Sequence, residues 1–363
     1  MITGFYFLGF LYFLLLIFIT MGMFRLERKY DNKIKKISII VAARNEAIHL
    51  PHLLPILLNQ NYPRDRYEVV IANDRSNDKT EHILEDFQKK YNNLKIAHVV
   101  KEKRHFIGKK NAINEAIKIS SNPILALTDA DCLPTKNWLK EVNKHFTENV
   151  DYVAGYSPLI PLKNPSFLLK LKNFERKAIF ALTAGTFGWH WPVTCSARNI
   201  SYRKRVFDSV NGFESIRKIP SGDDDLLLQK MNRNINKMRF MFTRDSIIPS
   251  YDKDNLNEQI HLETRRASKL KYHPLSVKLL TVSAFLFYLS IIVSFLHLLI
   301  WDSYHFLYLC LLKMIPELIA ISIFLLKMKE LKNIIYFLPF QVLYVPYFIF
   351  FGLKGTFGEY KWK

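Results

Sequence analysis

Cysteine is scarce. The 363 residues include three, Cys132, Cys195 and Cys310, widely separated and without a Cys-x-x-Cys spacing, so neither a disulfide framework nor a cysteine zinc site is expected. Glycine is sparse as well, with 12 residues, and no Gly-x-Gly-x-x-Gly turn follows the first strand-like run. That turn is Ala43-Arg44-Asn45-Glu46, which argues against a nicotinamide or flavin cofactor. Acidic residues are outnumbered 32 to 52 by Lys and Arg, for a net charge of +20. Such a charge fits nucleic acid, an anionic membrane surface or a phosphorylated ligand. The basic residues cluster around apolar segments rather than along a groove and no recognition motif appears, which argues against nucleic acid.

Charge is missing altogether from residues 1–24, a run long enough to cross a bilayer, and Arg25, Arg28 and Lys29 follow at once. The positive-inside rule then puts the chain from residue 25 onward in the cytoplasm. A cleaved signal peptide is the alternative, but no basic stretch precedes the run and no small-x-small cleavage site follows, so a retained anchor is expected. Apolar runs return at 279–301, 306–326 and 334–353, giving a C-terminal membrane region, 275–353, of two or three spans. Arg265, Arg266, Lys269, Lys271 and Lys278 precede the first run, and Lys327, Lys329 and Lys332 follow the second. Both of those ends read as cytoplasmic. The last run holds Pro339 and Pro346, and a full crossing would carry Lys354, Lys361 and Lys363 outside; a re-entrant or interfacial course is the alternative. Lys313 and Glu317 are spaced to pair on one helix face, as a functional intramembrane pair or as one buried for packing.

Between the apolar ends, β-branched-rich runs at 37–42, 67–72, 94–100 and 123–128 alternate with helix-like segments. This is the pattern of an α/β, mostly parallel sheet with right-handed crossovers. Ligands of such sheets bind beyond the carboxyl ends of the strands. The run Ile124-Leu125-Ala126-Leu127-Thr128 stops at Asp129-Ala130-Asp131. Two carboxylates two residues apart on extended chain point the same way and suit Mg2+ or Mn2+; the alternative is a turn that caps the helix near Trp138. Asn73-Asp74-Arg75-Ser76-Asn77-Asp78 closes the second run and is either a ribose- or base-binding loop or an Asx turn. Gly108-Lys109-Lys110-Asn111 opens a helix, where free amides and Lys109 suit a diphosphate, or it is a solvated basic turn.

In this order and spacing, Ser38-Ile39-Ile40-Val41-Ala42-Ala43-Arg44-Asn45-Glu46, Asn73 to Asp78, Gly108 to Ala112 and Thr128 to Asp131 resemble the family 2 glycosyltransferases with a GT-A (Rossmann-like) fold. Ser196-Ala197-Arg198-Asn199-Ile200-Ser201-Tyr202-Arg203 resembles that family's Asn-x-x-Tyr-Arg segment, and Gly212-Phe213 its Gly-Gly-Phe. The resemblance covers roughly residues 37–270, divided into a nucleotide-binding half, 37–134, and an acceptor half, 135–270. It implies a sugar-nucleotide donor and inverting transfer. By position, Ala42, Arg44, Glu46 and Asp74 would surround the nucleotide, Lys109 and Asp129 would lie near ribose and diphosphate, and Asp131 would hold the metal, with Asp129 beside it.

Direct inversion needs one carboxylate to take the acceptor's proton. In Ser221-Gly222-Asp223-Asp224-Asp225-Leu226, aligning the last two residues on the family's Glu-Asp-x-Asp-Leu motif puts this base at Asp223, with Asp224 as fallback. Three acids at a helix start are also what a helix dipole favours. The Gln-x-x-Arg-Trp of processive relatives is represented by Leu262-Glu263-Thr264-Arg265-Arg266, which keeps only Arg265; a single transfer therefore fits better than polymer synthesis. Asn164-Pro165-Ser166 starts a helix with an apolar stripe and basic flanks, lying in the headgroup plane or packed on the domain. The aromatic stretch Phe187 to Pro192 lines an acceptor site or sits at the membrane interface, the reading preferred. The expectation is a membrane-bound glycosyltransferase of the cell's inner membrane, its catalytic domain cytoplasmic and its acceptor a lipid or lipid-linked glycan. The rival is a non-catalytic transporter or nucleotide-sugar sensor.

Overall fold

A computed structural model describes residues 2–26, 29–100, 106–160, 165–219, 221–251, 256–301 and 304–357. Arg28, Asn164, Lys361 and Lys363 lie outside the described residues. In chain order the elements are α1 (Ile2–Arg25), β1 (Ile37–Ala43), α2 (Leu50–Leu58), β2 (Tyr67–Asp74), α3 (Thr80–Gln88), β3 (Leu94–Val99), α4 (Lys110–Ile119), β4 (Ile124–Leu127), α5 (Trp138–His145) and β5 (Tyr152–Gly155). There follow α6 (Phe167–Gly188), β6 (Ile200–Arg203), α7 (Lys204–Ser209), α8 (Asp225–Met231), β7 (Met238–Met241), α9 (Leu256–Ser268), α10 (Leu275–Trp301), α11 (His305–Met328) and α12 (Phe337–Phe357). The chain divides into two compact units, residues 26–161 with 194–252, and residues 1–25 with 162–193 and 253–363.

The first unit is built on a seven-stranded sheet of order β3-β2-β1-β4-β6-β5-β7. β1 pairs in parallel with β2 and β4, β2 with β3 and β5 with β7, while β6 runs antiparallel between β4 and β5. This is the mostly parallel α/β sheet that the resemblance to GT-A proteins implies. β1, β2 and β4 read as mostly apolar runs, broken by the buried Ser38 and Glu68, because helices cover both sheet faces: Ile39 and Val41 pack with Leu53, Leu54 and Leu57 of α2 and with Trp138 of α5. Strand order reverses between β1 and β4, and that switch point opens a ligand crevice at the strands' carboxyl ends.

The second unit is helical and, among the described residues, holds four helices long and apolar enough to cross a membrane, at Ile2–Arg25, Leu275–Leu299, His305–Met328 and Leu331–Thr356. α12 runs unbroken through Pro346. The Lys313–Glu317 pair of α11 is fully engaged. Glu317 accepts from Lys313 Nζ at 2.8 Å, Tyr12 Oη at 2.6 Å, Tyr288 Oη at 3.0 Å and Gln341 Nε2 at 2.7 Å. One carboxylate thus ties α1, α10, α11 and α12 together, as the packing alternative requires. α1 also crosses α6 at glycine contacts, where a Cβ on Gly188 would stand 1.8 Å from the Gly22 carbonyl oxygen. Trp189 stacks on Phe18 with centroids 4.1 Å apart and donates its Nε1–H to the Phe18 carbonyl at 2.7 Å. α6 begins at Phe167 with Ser166 as its N-cap, Oγ accepting from the Leu169 amide at 3.2 Å.

Candidate active site

The loops after β1 and β2 are stitched to each other. Asn45 adopts a left-handed φ of 58°, and its side chain accepts from the Asn77 amide at 2.9 Å while its own amide donates to Ser76 Oγ at 3.1 Å. The Glu46 amide donates to Thr80 Oγ1 at 2.8 Å and that of Ala47 to Asp78 Oδ2 at 3.1 Å. Ala42, in the strand just before, is half-buried, Arg44 is exposed and Asp74 is buried. Asp74 accepts from Arg75 Nε at 2.9 Å. Burial raises the Glu46 carboxyl above its usual value against a 2.7 Å contact from His49, with Asp131 and Asp129 adding to the rise.

Asp129 and Asp131 lie past the end of β4 in a turn closed by Cys132 N–H to the Asp129 carbonyl at 3.3 Å. The pair is therefore not carried by strand alternation, because β4 stops at Leu127. The turn does not cap α5, whose N-cap is Asn137. It is anchored by a Cys132–Ser250 bridge and by the Tyr251 amide, which donates to the Asp131 carbonyl at 3.0 Å.

Lys109, the N-cap residue of α4, is the focus of the site. Its ammonium stands 2.7 Å from Asp129 Oδ1 and 2.9 Å from Asp223 Oδ2. Burial favours its neutral form, but the two carboxylates outweigh burial and raise its pKa above the ordinary lysine value. Arg198 Nε lies 3.7 Å from Asp129 Oδ2. Arg198 has no sequence pattern of its own, and topology puts it there: β6 runs antiparallel to β4 with Ile200 opposite Leu127, so two residues before one strand meet two residues after the other. The neighbouring motif residues serve the fold instead. Asn199 Nδ2 donates to the carbonyls of Tyr156 and Ser246 at 3.1 and 2.7 Å, and Arg203 Nε to that of Val150 at 2.9 Å.

The acids at the start of α8 divide by role. Asp224 is the N-cap, its Oδ1 accepting from the Asp225 amide at 2.7 Å, and Asp225 is buried. Asp223, 12% exposed at its side chain, faces Lys109. The structure thus brings Lys109, Asp129, Asp223 and Arg198 together, with Asp129 and Asp131 within electrostatic reach of Glu46. Arg265 lies half-buried on α9 of the helical unit. Among the described residues no three His, Cys, Asp or Glu side chains form a preformed metal cluster. Asp131 makes no ion pair among the described residues, and one or two carboxylate oxygens with open positions are the donor set that Mg2+ or Mn2+ accepts when water and phosphate complete the shell.

Residues 38–210 match the model of glycosyl transferase family 2. The chain carries a family 2 glycosyl transferase domain. The probable glycosyltransferase YdaM of Bacillus subtilis is 24% identical over 208 residues, 56% of this chain and 49% of that protein. The beta-monoglucosyldiacylglycerol synthase of Trichormus variabilis is 34% identical over 116 residues, 32% of this chain and 24% of that protein. The chain thus spans half or less of these relatives. The mannosyltransferase PcManGT of Pyrobaculum calidifontis, solved with GDP-Man and Mn2+, superposes with a TM-score of 0.59 over 97% of this chain and 95% of its own at 15% identity. That likeness speaks for the fold. Within the family 2 domain, the four sequence segments that resemble the family fall on the loops at the carboxyl edge of β1, β2 and β4 and on the start of α4.

Proposed function

We propose that this protein is an inverting glycosyltransferase that moves a sugar from a nucleotide-activated donor to the hydroxyl of a lipid or lipid-linked acceptor. The observation that carries the reading is the convergence of Asp129 and Asp223 on the single ammonium of Lys109, at 2.7 and 2.9 Å. A cation between two acids at the edge of an α/β sheet suits a site where phosphate charge arrives and a proton departs. The nucleoside would lie against Ala42, Arg44, Glu46 and Asp74, with the buried Asp74 carboxylate accepting from ribose or base. Lys109 and Arg198 would face the diphosphate. Asp131, with Asp129 beside it, would hold a divalent cation, whose chemistry is to neutralise the departing diphosphate. Asp223 would take the proton from the acceptor hydroxyl as it attacks the anomeric carbon; Asp224 is less suited, because its carboxylate caps α8.

The membrane supplies the acceptor in this reading. Four apolar helices and the synthase of a glycosylated diacylglycerol among the relatives support it, and the basic residues flanking those helices favour an inner membrane with the sheet-bearing unit in the cytoplasm. Purified protein given UDP-glucose, UDP-N-acetylglucosamine or GDP-mannose, Mn2+ and total membrane lipid should release nucleoside diphosphate from one of these donors. Tight donor binding with no release from any of them would replace the enzyme with a sensor.

A further inference from the structure

Lys110 is 1% exposed. A lysine seldom gives up water for its ammonium, because a buried charge is costly unless hydrogen bonds replace the solvent. Here the Lys110 ammonium donates to the Ile219 carbonyl and, at 3.3 Å, to that of Ser221. Beside it, the Ile107 amide donates to the Arg217 carbonyl at 2.9 Å. The segment before α4 is thereby clasped to the segment that leads into the acids of α8. Two residues beyond Ser221 stands Asp223. Between them Gly222 takes a left-handed φ of 92°, and a Cβ there would meet Leu226 Cδ1 at 2.4 Å, so this turn favours glycine. Downstream, the Asp224 cap fixes the start of α8.

We infer that Lys110 is a positioning residue for Asp223: its buried ammonium holds the carbonyls of Ile219 and Ser221 and so fixes where the Asp223 carboxylate points. This inference rests on the reading of Asp223 as the base. The adjacent lysines divide the work, Lys109 meeting the carboxylates from the open side and Lys110 holding the backbone that carries one of them. An ammonium suits the task because it can donate to several carbonyl oxygens at once.

The test is a cycle of Lys110→Met, Asp223→Asn and the double variant, assayed with whichever of the three sugar nucleotides the wild type turns over and with total membrane lipid. Lys110→Met should lower kcat on the order of a hundredfold, the loss that a misplaced reacting group brings, while affinity for the nucleoside diphosphate stays within a few fold. Lys110→Arg should recover part of the rate, and Lys110→Met should lose little further once Asp223 is Asn. Hydrogen exchange should rise in residues 214–224 of Lys110→Met and not in those of Asp223→Asn. A kcat near wild type, parallel loss of rate and diphosphate binding, multiplicative losses in the double variant, or unchanged exchange would each overturn the inference. Near-normal turnover by Asp223→Asn alone would instead overturn the base assignment. If Lys110→Met does not fold, Lys110→Gln, which keeps donors of shorter reach, takes its place with the same expectations.

Discussion

Replacing Asp223 by Asn separates chemistry from binding. The amide keeps the shape of the carboxylate and can still accept from Lys109, but it cannot take a proton at neutral pH. Loss of a general base typically slows turnover about 10²- to 10⁴-fold, or about 3–5 kcal/mol of barrier at ~1.36 kcal/mol per decade. The stability cost should be small, about 1 kcal/mol or less, because the Lys109 side chain is 36% exposed and keeps its 2.7 Å partner Asp129. Asp224→Asn is the internal control. Asparagine caps a helix about as well as aspartate, so the Oδ1 contact to the Asp225 amide survives and turnover should stay within a few fold. The assay is single-turnover formation of nucleoside diphosphate, with donor binding by calorimetry on both variants. If Asp224→Asn loses the rate and Asp223→Asn keeps it, the base is one residue away and the division between cap and base is mistaken. If neither variant is slowed, the base lies outside this motif.

Three further outcomes are expected. Gly188→Ala, whose Cβ would meet the Gly22 carbonyl at 1.8 Å, should part α1 from α6 by over 1 Å and cost about 1–3 kcal/mol; melting in detergent should fall well below that of Gly4→Ala, where a Cβ meets nothing within 4 Å. Burial, with Glu263 adding, pushes the Glu175 carboxyl up to about 8, so the folded protein binds a proton that the unfolded chain loses near its usual 4.5. That contribution is complete below the unfolded value and is lost as pH rises toward 8, and the decline in melting temperature over this window should flatten in Glu175→Gln. Asp131→Asn should weaken Mn2+ binding in the presence of nucleoside diphosphate by about tenfold or more while melting stays unchanged; wild-type turnover that persists in excess chelator would contradict the metal's role.

The parallel half of the sheet was legible because its strands are buried on both faces: the apolar runs at 37–42 and 67–72 fall within β1 and β2. β5, β6 and β7 are four residues each, too short to show a period, and β6 gains its place only by pairing antiparallel between β4 and β5. Asp129, Lys109 and Asp223 could be named from their segments, but not their meeting at one ammonium, since 20 residues separate the first two and 114 the last two. The turn that carries Asp129 and Asp131 is held by backbone bonds from Cys132 and Tyr251, which leave no mark in side-chain pattern. Arg198 and Lys110 lie in segments that the sequence singles out, but their partners do not show there, since each acts through a segment distant in sequence. The Lys313 and Glu317 pair was visible by spacing, whereas its Tyr12, Tyr288 and Gln341 partners come from other helices.

In the proposed reaction a sugar passes to a lipid with Asp223 as the base. Radiolabelled sugar nucleotide, Mn2+ and total membrane lipid, incubated with wild type and with Asp223→Asn and then extracted into chloroform, test it most directly. Label should enter the organic phase with wild type and fall at least a hundredfold with Asp223→Asn. Label that stays in water with wild type, as free sugar or unchanged donor, would contradict the account.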